Sequence, residues 1–127
     1  MSRILIVDDE PDIRLMLKLA LELGGHEVTE ASDGREALEK VYENPDAVVL
    51  DIRLPDIDGL EVLRLVKSDP TVAAIPVVCI SAHSSGDTVR RALALGASAY
   101  VGKPFDFNDV RSVVGAAIDA SPTTRAS

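Results

Sequence analysis

The feature that most restricts the fold of this chain is a regular alternation of short apolar runs with longer amphipathic stretches. Three of the runs, Ile4–Val7, Ala47–Leu50 and Val77–Ile80, are continuously apolar, which is typical of strands buried on both faces of a parallel sheet. His26–Ala31 is more polar and suits a strand at the sheet edge, and Ala99–Val101 is a weaker fifth candidate. The sequence therefore predicts five short strands.

Helical patterns fill the intervals between the predicted strands. The first has apolar residues at the spacing of a single helix face, namely Ile13, Met16, Leu17, Ala20 and Leu21. Asp33, Asp58 and Asp106 stand where side chains commonly cap the first turn, and they mark the starts of the second, third and fifth helices. The fourth helix is expected from about residue 87 to residue 95, with Gly96 ending it.

Five alternating strand and helix units predict an α/β fold, in which helices cover both faces of a doubly wound parallel sheet in three layers, α/β/α. A chain of 127 residues is about the length of one domain. We expect the domain to occupy residues 1–119. Residues 120–127 are expected to form a flexible tail or the start of a linker, because SPTTRAS from Ser121 onward is small, polar and aperiodic.

Charge and composition exclude several classes of partner. The net charge is -8 and the chain has no basic patch, whereas a nucleic-acid-binding domain usually needs clustered positive charge to neutralise phosphates. No apolar stretch approaches the roughly 18 residues that a membrane span requires. Cys79 is the only cysteine, so no intrachain disulfide can form. We therefore expect a cytoplasmic protein that does not bind nucleic acid directly and does not insert into a membrane.

Polar residues follow the predicted strands at the points where those strands end. Asp8 and Asp9 follow the first strand, and Asp51 follows the third. Ser81 follows the fourth strand, and Lys103 follows the fifth. The carboxyl ends of parallel strands share one sheet edge, and ligands bind beyond that edge near the point where strand order reverses. Each residue alone is compatible with a helix cap or a turn, but the set together favours a functional site.

Three carboxylates at one edge repel each other, and some stay protonated unless a cation lies among them. Their charge of about -3 is balanced by Lys103 and a divalent ion, which together contribute about +3. Carboxylate oxygens suit Mg²⁺ (or Mn²⁺), whereas His26 and His83 are too few and too differently placed for a zinc site. A carboxylate beside such an ion and an ammonium can attack phosphorus. Asp51 is the candidate nucleophile, because it stands alone after the central strand.

The sequence resembles the receiver domain of response regulators from bacterial two-component systems. The residues that carry the resemblance are ILIVDDE at 4–10, VVLDIRLPDIDG at 48–59, ISA at 80–82 and YVGKPF at 100–105. The similarity extends from about residue 3 to residue 119, which is nearly the whole chain. It implies a flavodoxin-like fold with strand order 2-1-3-4-5, as in the chemotaxis regulators of this family.

The resemblance implies that Asp51 accepts a phosphoryl group from a sensor histidine kinase or a histidine phosphotransfer protein. Asp9 would bind Mg²⁺ directly and Asp8 mainly through water, and Asp51 would also be a ligand. The backbone carbonyl of Arg53 would supply a further ligand, and Lys103 would contact the phosphoryl group. The downstream partner is either a separate protein or a fused output domain, and the sequence leaves this choice open.

Further residues acquire roles from the same resemblance. Ser81 would hydrogen-bond the phosphoryl group, and its movement would let Tyr100 turn inward. That change would remodel the face formed by the fourth helix, the fifth strand and the fifth helix. The Lys103–Pro104 peptide bond is expected to be cis. Arg53 and His83 occupy positions near the site that vary in the family, and they are expected to tune the lifetime of the phosphorylated state.

Two other interpretations stay open. A phosphatase or phosphotransferase of the haloacid-dehalogenase kind also uses an aspartate nucleophile on a parallel sheet, but it carries a second Asp where this chain has Arg53. A receiver-like binding module could instead work without phosphorylation, although the residues required for phosphorylation are all present. We expect a domain that catalyses its own phosphorylation and slow hydrolysis without an external substrate, and therefore not an enzyme in the usual sense.

Overall fold

The computed structural model describes residues 2–82 and 85–120. The five strands are β1 (Arg3–Val7), β2 (Glu27–Ala31), β3 (Ala47–Asp51), β4 (Val77–Ser81) and β5 (Ala99–Gly102). The α-helices are α1 (Pro11–Leu23), α2 (Gly34–Lys40), α3 (Gly59–Ser68), α4 (Gly86–Ala94) and α5 (Phe107–Ala120), and a 3₁₀ turn at Val41–Glu43 follows α2. None of these helices has both the length and the apolar character needed to cross a membrane.

The five strands form one parallel sheet in the order β2-β1-β3-β4-β5. This order, with helices on both faces, confirms the predicted flavodoxin-like α/β fold. The direction of strand succession reverses at β1, because β2 lies on one side of it while β3, β4 and β5 follow on the other. The carboxyl ends of β1 and β3 therefore border the crevice where a ligand is expected in such a sheet.

Alternate residues of each strand point to opposite faces of the sheet, and this alternation creates two cores. Leu5 and Leu50 pack on the face covered by α2, α3 and α4, whereas Ile4 and Val49 pack on the face covered by α1 and α5. Because both faces are covered, the central strands read as continuous apolar runs. The edge strand β2 is only partly buried between residues 28 and 30, in agreement with its polar composition.

Side-chain caps begin three helices where the sequence indicated them. Asp33 accepts a hydrogen bond from the backbone N–H of Glu36 at 2.8 Å. Asp58 accepts one from the backbone N–H of Leu60 at 2.9 Å. Asp106 accepts one from the backbone N–H of Asn108 at 2.7 Å. Each cap satisfies a backbone donor that the first helical turn leaves unpaired.

The boundaries of the last two helices differ slightly from expectation. Helix α4 begins at Gly86, because the side chain of Ser85 accepts a hydrogen bond from the backbone N–H of Thr88. Gly96 has a φ of 108°, a left-handed conformation that glycine adopts readily, and it leads the chain toward β5. Helix α5 extends to Ala120, and residues 121–127, where the tail was expected, lie outside the described residues.

One residue expected in the core face of α1 lies at the surface. Leu17, Ala20 and Leu21 are fully buried, whereas Met16 is 39% exposed. The five-residue stripe is therefore wider than the strip of helix that the sheet and α5 cover. The same helix exposes a second apolar row, formed by Leu15, Leu19 and Leu23.

Candidate functional site

The carboxyl ends of the strands bring the predicted polar residues to one edge of the sheet. Asp8 directly follows β1, and Asp51 and Ser81 are the last residues of β3 and β4. Lys103 directly follows β5, and its backbone N–H donates a hydrogen bond to the Ser81 carbonyl oxygen at 2.9 Å. The parallel pairing therefore continues one step past β5 and directs the Lys103 side chain toward the ends of β1 and β3.

The Lys103 ammonium lies among three carboxylates. Its Nζ is 3.0 Å from Asp8 Oδ2, 3.2 Å from Asp51 Oδ2 and 3.4 Å from Glu10 Oε1. Asp8 and Asp51 are buried, whereas Glu10 is exposed. Glu10 was not among the predicted site residues, and the only signal for it in the sequence was its place directly after Asp8 and Asp9.

Both oxygens of the Asp51 carboxylate have partners. Oδ1 accepts a hydrogen bond from the backbone N–H of Arg53 at 3.0 Å, and Oδ2 accepts one from Lys103 Nζ at 3.2 Å. Burial raises the pKa of Asp51, and the negative charge of Asp8 raises it further. The Arg53 hydrogen bond and the Lys103 ammonium oppose that rise without cancelling it. The structure thus holds a buried carboxylate in a fixed orientation.

Lys103 is held in its charged form by the same contacts. Burial alone would lower the pKa of Lys103, but the close contact with the Asp8 carboxylate and the negative charge of Asp51 outweigh it, so the pKa lies above its ordinary value. A charged ammonium therefore faces the Asp51 oxygen. One ammonium does not neutralise the several carboxylates around it.

The acidic residues fit a divalent cation. One carboxylate oxygen from each of Asp8, Asp9, Glu10 and Asp51 lies within 4.8 Å of the others. Asp8 Oδ2 is buried, and no donor among the described residues is aligned to hydrogen-bond it, although Lys103 Nζ is near enough for an ionic contact. Hard cations such as Mg²⁺ prefer oxygen ligands of this kind. The donor set and the excess negative charge both match such an ion.

An open cavity gives access to the buried Asp51 carboxylate. It has a volume of about 270 Å³. Its lining consists of Asp9, Glu10, Asp51, Arg53, Ala82 and Lys103. Four larger cavities, of about 350 to 520 Å³, lie elsewhere among the described residues, and their linings contain neither Asp51 nor Lys103. Charge rather than size therefore identifies the site.

Gly59 allows the loop after Asp51 to fold back onto the end of β3. A Cβ atom at position 59 would lie 2.5 Å from the Asp51 carbonyl oxygen and 2.5 Å from Ile52 Cα. The backbone N–H of Gly59 donates to the Ile52 carbonyl oxygen at 2.8 Å. Only a residue without a side chain fits this approach.

Ser81 and Tyr100 lie together beside the site. Ser81 is fully buried, and the Tyr100 ring is partly buried against the core on the α3 and α4 side of the sheet. Burial raises the pKa of Tyr100, while hydrogen bonding to the Ser81 side chain lowers it. The two residues predicted to form a switch are therefore in contact. The Lys103–Pro104 peptide bond is cis, as the resemblance implied.

Of the two residues expected to tune reaction rates, the structure describes only Arg53. The side chain of Arg53 is exposed and lines the cavity above Asp51. His83 lies outside the described residues. The roles of both residues, and the role of the Arg53 carbonyl as a metal ligand, stay predictions.

Comparison with known proteins gives consistent matches. The family model described as "Response regulator receiver domain" matches residues 4–115. The chain is 41% identical over 118 residues to the regulatory protein AtoC of Escherichia coli, covering 92% of this chain and 25% of AtoC. It is 45% identical over 107 residues to the transcriptional regulatory protein PrrA of Mycobacterium tuberculosis, covering 81% and 44%. The chain thus spans less than half the length of these relatives.

Solved structures agree with this result. The fold matches that of a CheY-like response regulator receiver domain protein from Methanospirillum hungatei with a TM-score of 0.87. The two sequences are 30% identical, and the match covers 97% of this chain and 98% of that one. The likeness therefore extends over the whole described fold.

Proposed function

Because this chain belongs to the response regulator receiver domain family, we propose that its Asp51 accepts a phosphoryl group in a Mg²⁺-dependent reaction. The donor is a phosphohistidine on a sensor histidine kinase or a histidine phosphotransfer protein. One observation carries the proposal: the buried Asp51 carboxylate is fixed between the Arg53 N–H and the Lys103 ammonium, and it opens into the acidic cavity.

In the proposed transfer, an Asp51 carboxylate oxygen attacks the phosphorus atom of the donor. One P–O bond forms and the P–N bond to the histidine breaks, and the electron pair leaves with the imidazole nitrogen. Lys103 stands 3.2 Å from Asp51 Oδ2, so its positive charge is placed to stabilise charge on the phosphoryl oxygens. Preorganised charge of this kind supplies most of the catalysis in phosphoryl transfer.

The metal-binding part of the proposal assigns Mg²⁺ (or Mn²⁺) to Asp8, Asp9, Asp51 and the backbone carbonyl of Arg53. When bound, the ion neutralises charge between the carboxylates and the phosphoryl oxygens. The support for this assignment is the grouping of oxygens within 4.8 Å and the buried Asp8 Oδ2. Glu10 lies in the same group and contacts Lys103 from the solvent side.

The output of the proposed reaction is a change at the face formed by α4, β5 and α5. A phosphoryl group adds about -1.5 to -2 of charge and three strong acceptors. It shifts a conformational equilibrium only through contacts that differ between the two states. Ser81 and Lys103 flank Asp51, and Ser81 contacts Tyr100 on β5. This chain of contacts links the proposed phosphorylation site to the proposed partner-binding face.

Response regulators interact with histidine kinases and with output domains. For this chain, we propose a cytoplasmic role in which the phosphorylated face binds either a separate downstream protein or a fused output domain. The domain would act as a switch that catalyses its own phosphorylation and hydrolysis, not as an enzyme with an external substrate. The exposed Arg53 stands where a haloacid-dehalogenase-type phosphatase has its second aspartate, which disfavours that activity.

Intact-mass analysis tests the proposal directly. The protein is incubated with a panel of phosphorylated kinases, with Mg²⁺ or with EDTA, and the added phosphoryl mass is measured. We expect addition to the wild type only with Mg²⁺, and none to Asp51→Asn. Asp56→Asn is a matched control, because Asp56 lies in the same loop and its carboxylate caps α2 instead. Phosphoryl addition to Asp51→Asn would refute the assignment.

A further inference from the structure

The guanidinium of Arg14 lies behind the acidic site and bridges two elements of the fold. Its Nη1 donates a hydrogen bond to the backbone carbonyl oxygen of Asp8 at 2.7 Å. Its Nε donates to Glu30 Oε1 on β2 at 3.2 Å. Only 19% of the Arg14 side chain is exposed. The guanidinium is therefore largely buried, whereas its carboxylate partner Glu30 is 39% exposed.

Asp8 is the first residue after β1. Its backbone N–H still donates to the Ala31 carbonyl oxygen at 3.1 Å, as an extension of the pairing with β2. Its carbonyl oxygen accepts the hydrogen bond from Arg14. The peptide groups on both sides of the Asp8 Cα are therefore held, one by the sheet and one by α1.

Three hydrogen bonds hold the segment that runs from Asp8 into the first turn of α1 at Arg14. The backbone N–H of Glu10 donates to Asp8 Oδ1 at 2.9 Å. The backbone N–H of Arg14 donates to the Glu10 carbonyl oxygen at 3.0 Å. The Arg14 guanidinium then returns to the Asp8 carbonyl. Together they leave Asp8 Oδ2 as the oxygen of that residue that faces Lys103 and the acidic group.

Glu30 supplies both an anchor and a charge balance. A lone guanidinium behind the site would repel a divalent cation, because charges several ångströms apart still interact in a partly buried region. The Glu30 carboxylate neutralises that charge and accepts a hydrogen bond from Arg14 Nε, while Nη1 contacts the Asp8 carbonyl oxygen. The two residues together can therefore orient the Asp8 peptide without adding net positive charge near the cation.

We propose that Arg14 is a positioning residue that fixes the Asp8 peptide, so that the Asp8 carboxylate is already oriented for a divalent cation, with Glu30 holding and neutralising Arg14. The inference rests on the proposed function, because the cation belongs to the proposed reaction. It adds a residue that does not touch the cation or the phosphoryl group. Partners of this kind typically change metal affinity about tenfold to a hundredfold.

The first test is Mg²⁺ affinity, measured by isothermal titration calorimetry with Mg²⁺ alone. Arg14→Met keeps much of the side-chain volume and removes the donors, and we expect about tenfold weaker binding. Arg14→Lys keeps the charge but lacks the forked donors that reach Asp8 and Glu30 together, so it should weaken binding as well. Arg64→Met is the matched control, because Arg64 is a helical arginine whose ion pair with Glu61 is exposed.

Two further measurements separate positioning from a general loss of structure. Hydrogen exchange of the Glu10 amide in metal-free protein should accelerate in both Arg14 variants, because that amide donates to Asp8 Oδ1. With acetyl phosphate as donor, half-saturating Mg²⁺ should rise about tenfold in Arg14→Lys, while the rate at saturating Mg²⁺ stays within about twofold of wild type.

The outcomes are distinct. Unchanged Mg²⁺ affinity in Arg14→Lys and Arg14→Met, or an equal loss in Arg64→Met, would overturn the role of Arg14 and leave the proposed function standing. A wild-type protein that binds no Mg²⁺ would refute the proposed function itself. If Arg14→Met does not fold, the Lys variant decides the question, because it retains the stem and the charge.

Discussion

The Asp51 carboxylate and the Lys103 ammonium meet at 3.2 Å although 52 positions separate them in the chain. The end of β3 supplies one and the residue after β5 supplies the other, with β4 between the two strands. The contact is therefore a product of the sheet order and not of local sequence. The charge of Lys103 is therefore the first property of the site to test by mutation.

Replacing Lys103 removes the positive charge nearest the proposed nucleophile. We expect Lys103→Met to slow phosphorylation of Asp51 by acetyl phosphate by about a hundredfold, since single preorganised donors contribute effects of that size. Mass spectrometry of a time course at saturating Mg²⁺ measures the rate. Lys18→Met, on α1, serves as the control, and equal rates in both variants would contradict the role of Lys103.

Metal-free stability should depend on pH through Asp51. Burial raises the pKa of Asp51 above its ordinary value. Its contribution to the free energy of unfolding is therefore fully present below the pKa of an unfolded aspartate, and it is lost as pH rises through the raised pKa. Asp51→Asn should abolish this loss. Its free energy of unfolding at neutral pH in EDTA should exceed that of the wild type by on the order of 1 kcal/mol. Urea unfolding across that pH range measures the difference, and parallel pH profiles would disprove it.

Two glycine substitutions should have opposite effects. A Cβ at Gly59 meets the backbone at 2.5 Å, whereas a Cβ at Gly115 of α5 meets no described heavy atom within 4 Å. Gly59→Ala should therefore destabilise the domain by about 1–3 kcal/mol through overpacking. Gly115→Ala should stabilise it by up to about 1 kcal/mol, because alanine favours a helix interior. Thermal unfolding compares them, and a shift of the same sign in both would be inconsistent with the packing described.

The thiol of Cys79 should be unreactive in the folded protein. Cys79 lies fully buried in β4, and burial raises its pKa to about 12. The thiolate is the reactive form of cysteine, so alkylation near neutral pH requires unfolding. Iodoacetamide labelling should follow the urea unfolding curve measured by circular dichroism. Complete labelling below the unfolding transition would show that β4 opens locally.

The sequence contained enough information for the sheet and for its polar edge. The apolar runs ending at Val7, Leu50 and Ile80 predicted β1, β3 and β4 within one residue at each carboxyl end. Asp51 and Lys103 then followed from the rule that parallel strands end on one side. The strand order itself came from the resemblance, because alternation of strands and helices does not specify which strands are neighbours.

Other parts of the site depended on side-chain directions that no local pattern encodes. Arg14 reads as one polar residue of an amphipathic helix, and its contacts with Asp8 and Glu30 depend on how α1 lies against β1 and β2. Met16 lies at a core spacing, but the packed area of α1 is too narrow to cover it. Rotation of a helix about its axis is set by tertiary packing rather than by periodicity alone.

The position of β5 at the sheet edge has a consequence for how the protein is made. Asp8 and Asp51 are synthesised first, and Lys103 is added only after β5. Domains generally fold as units, and a nascent or truncated chain without Lys103 contains the carboxylates of the site but not the ammonium that faces them. The proposed phosphoryl transfer would then require synthesis to have passed β5 and Lys103, and shorter fragments would lack that activity.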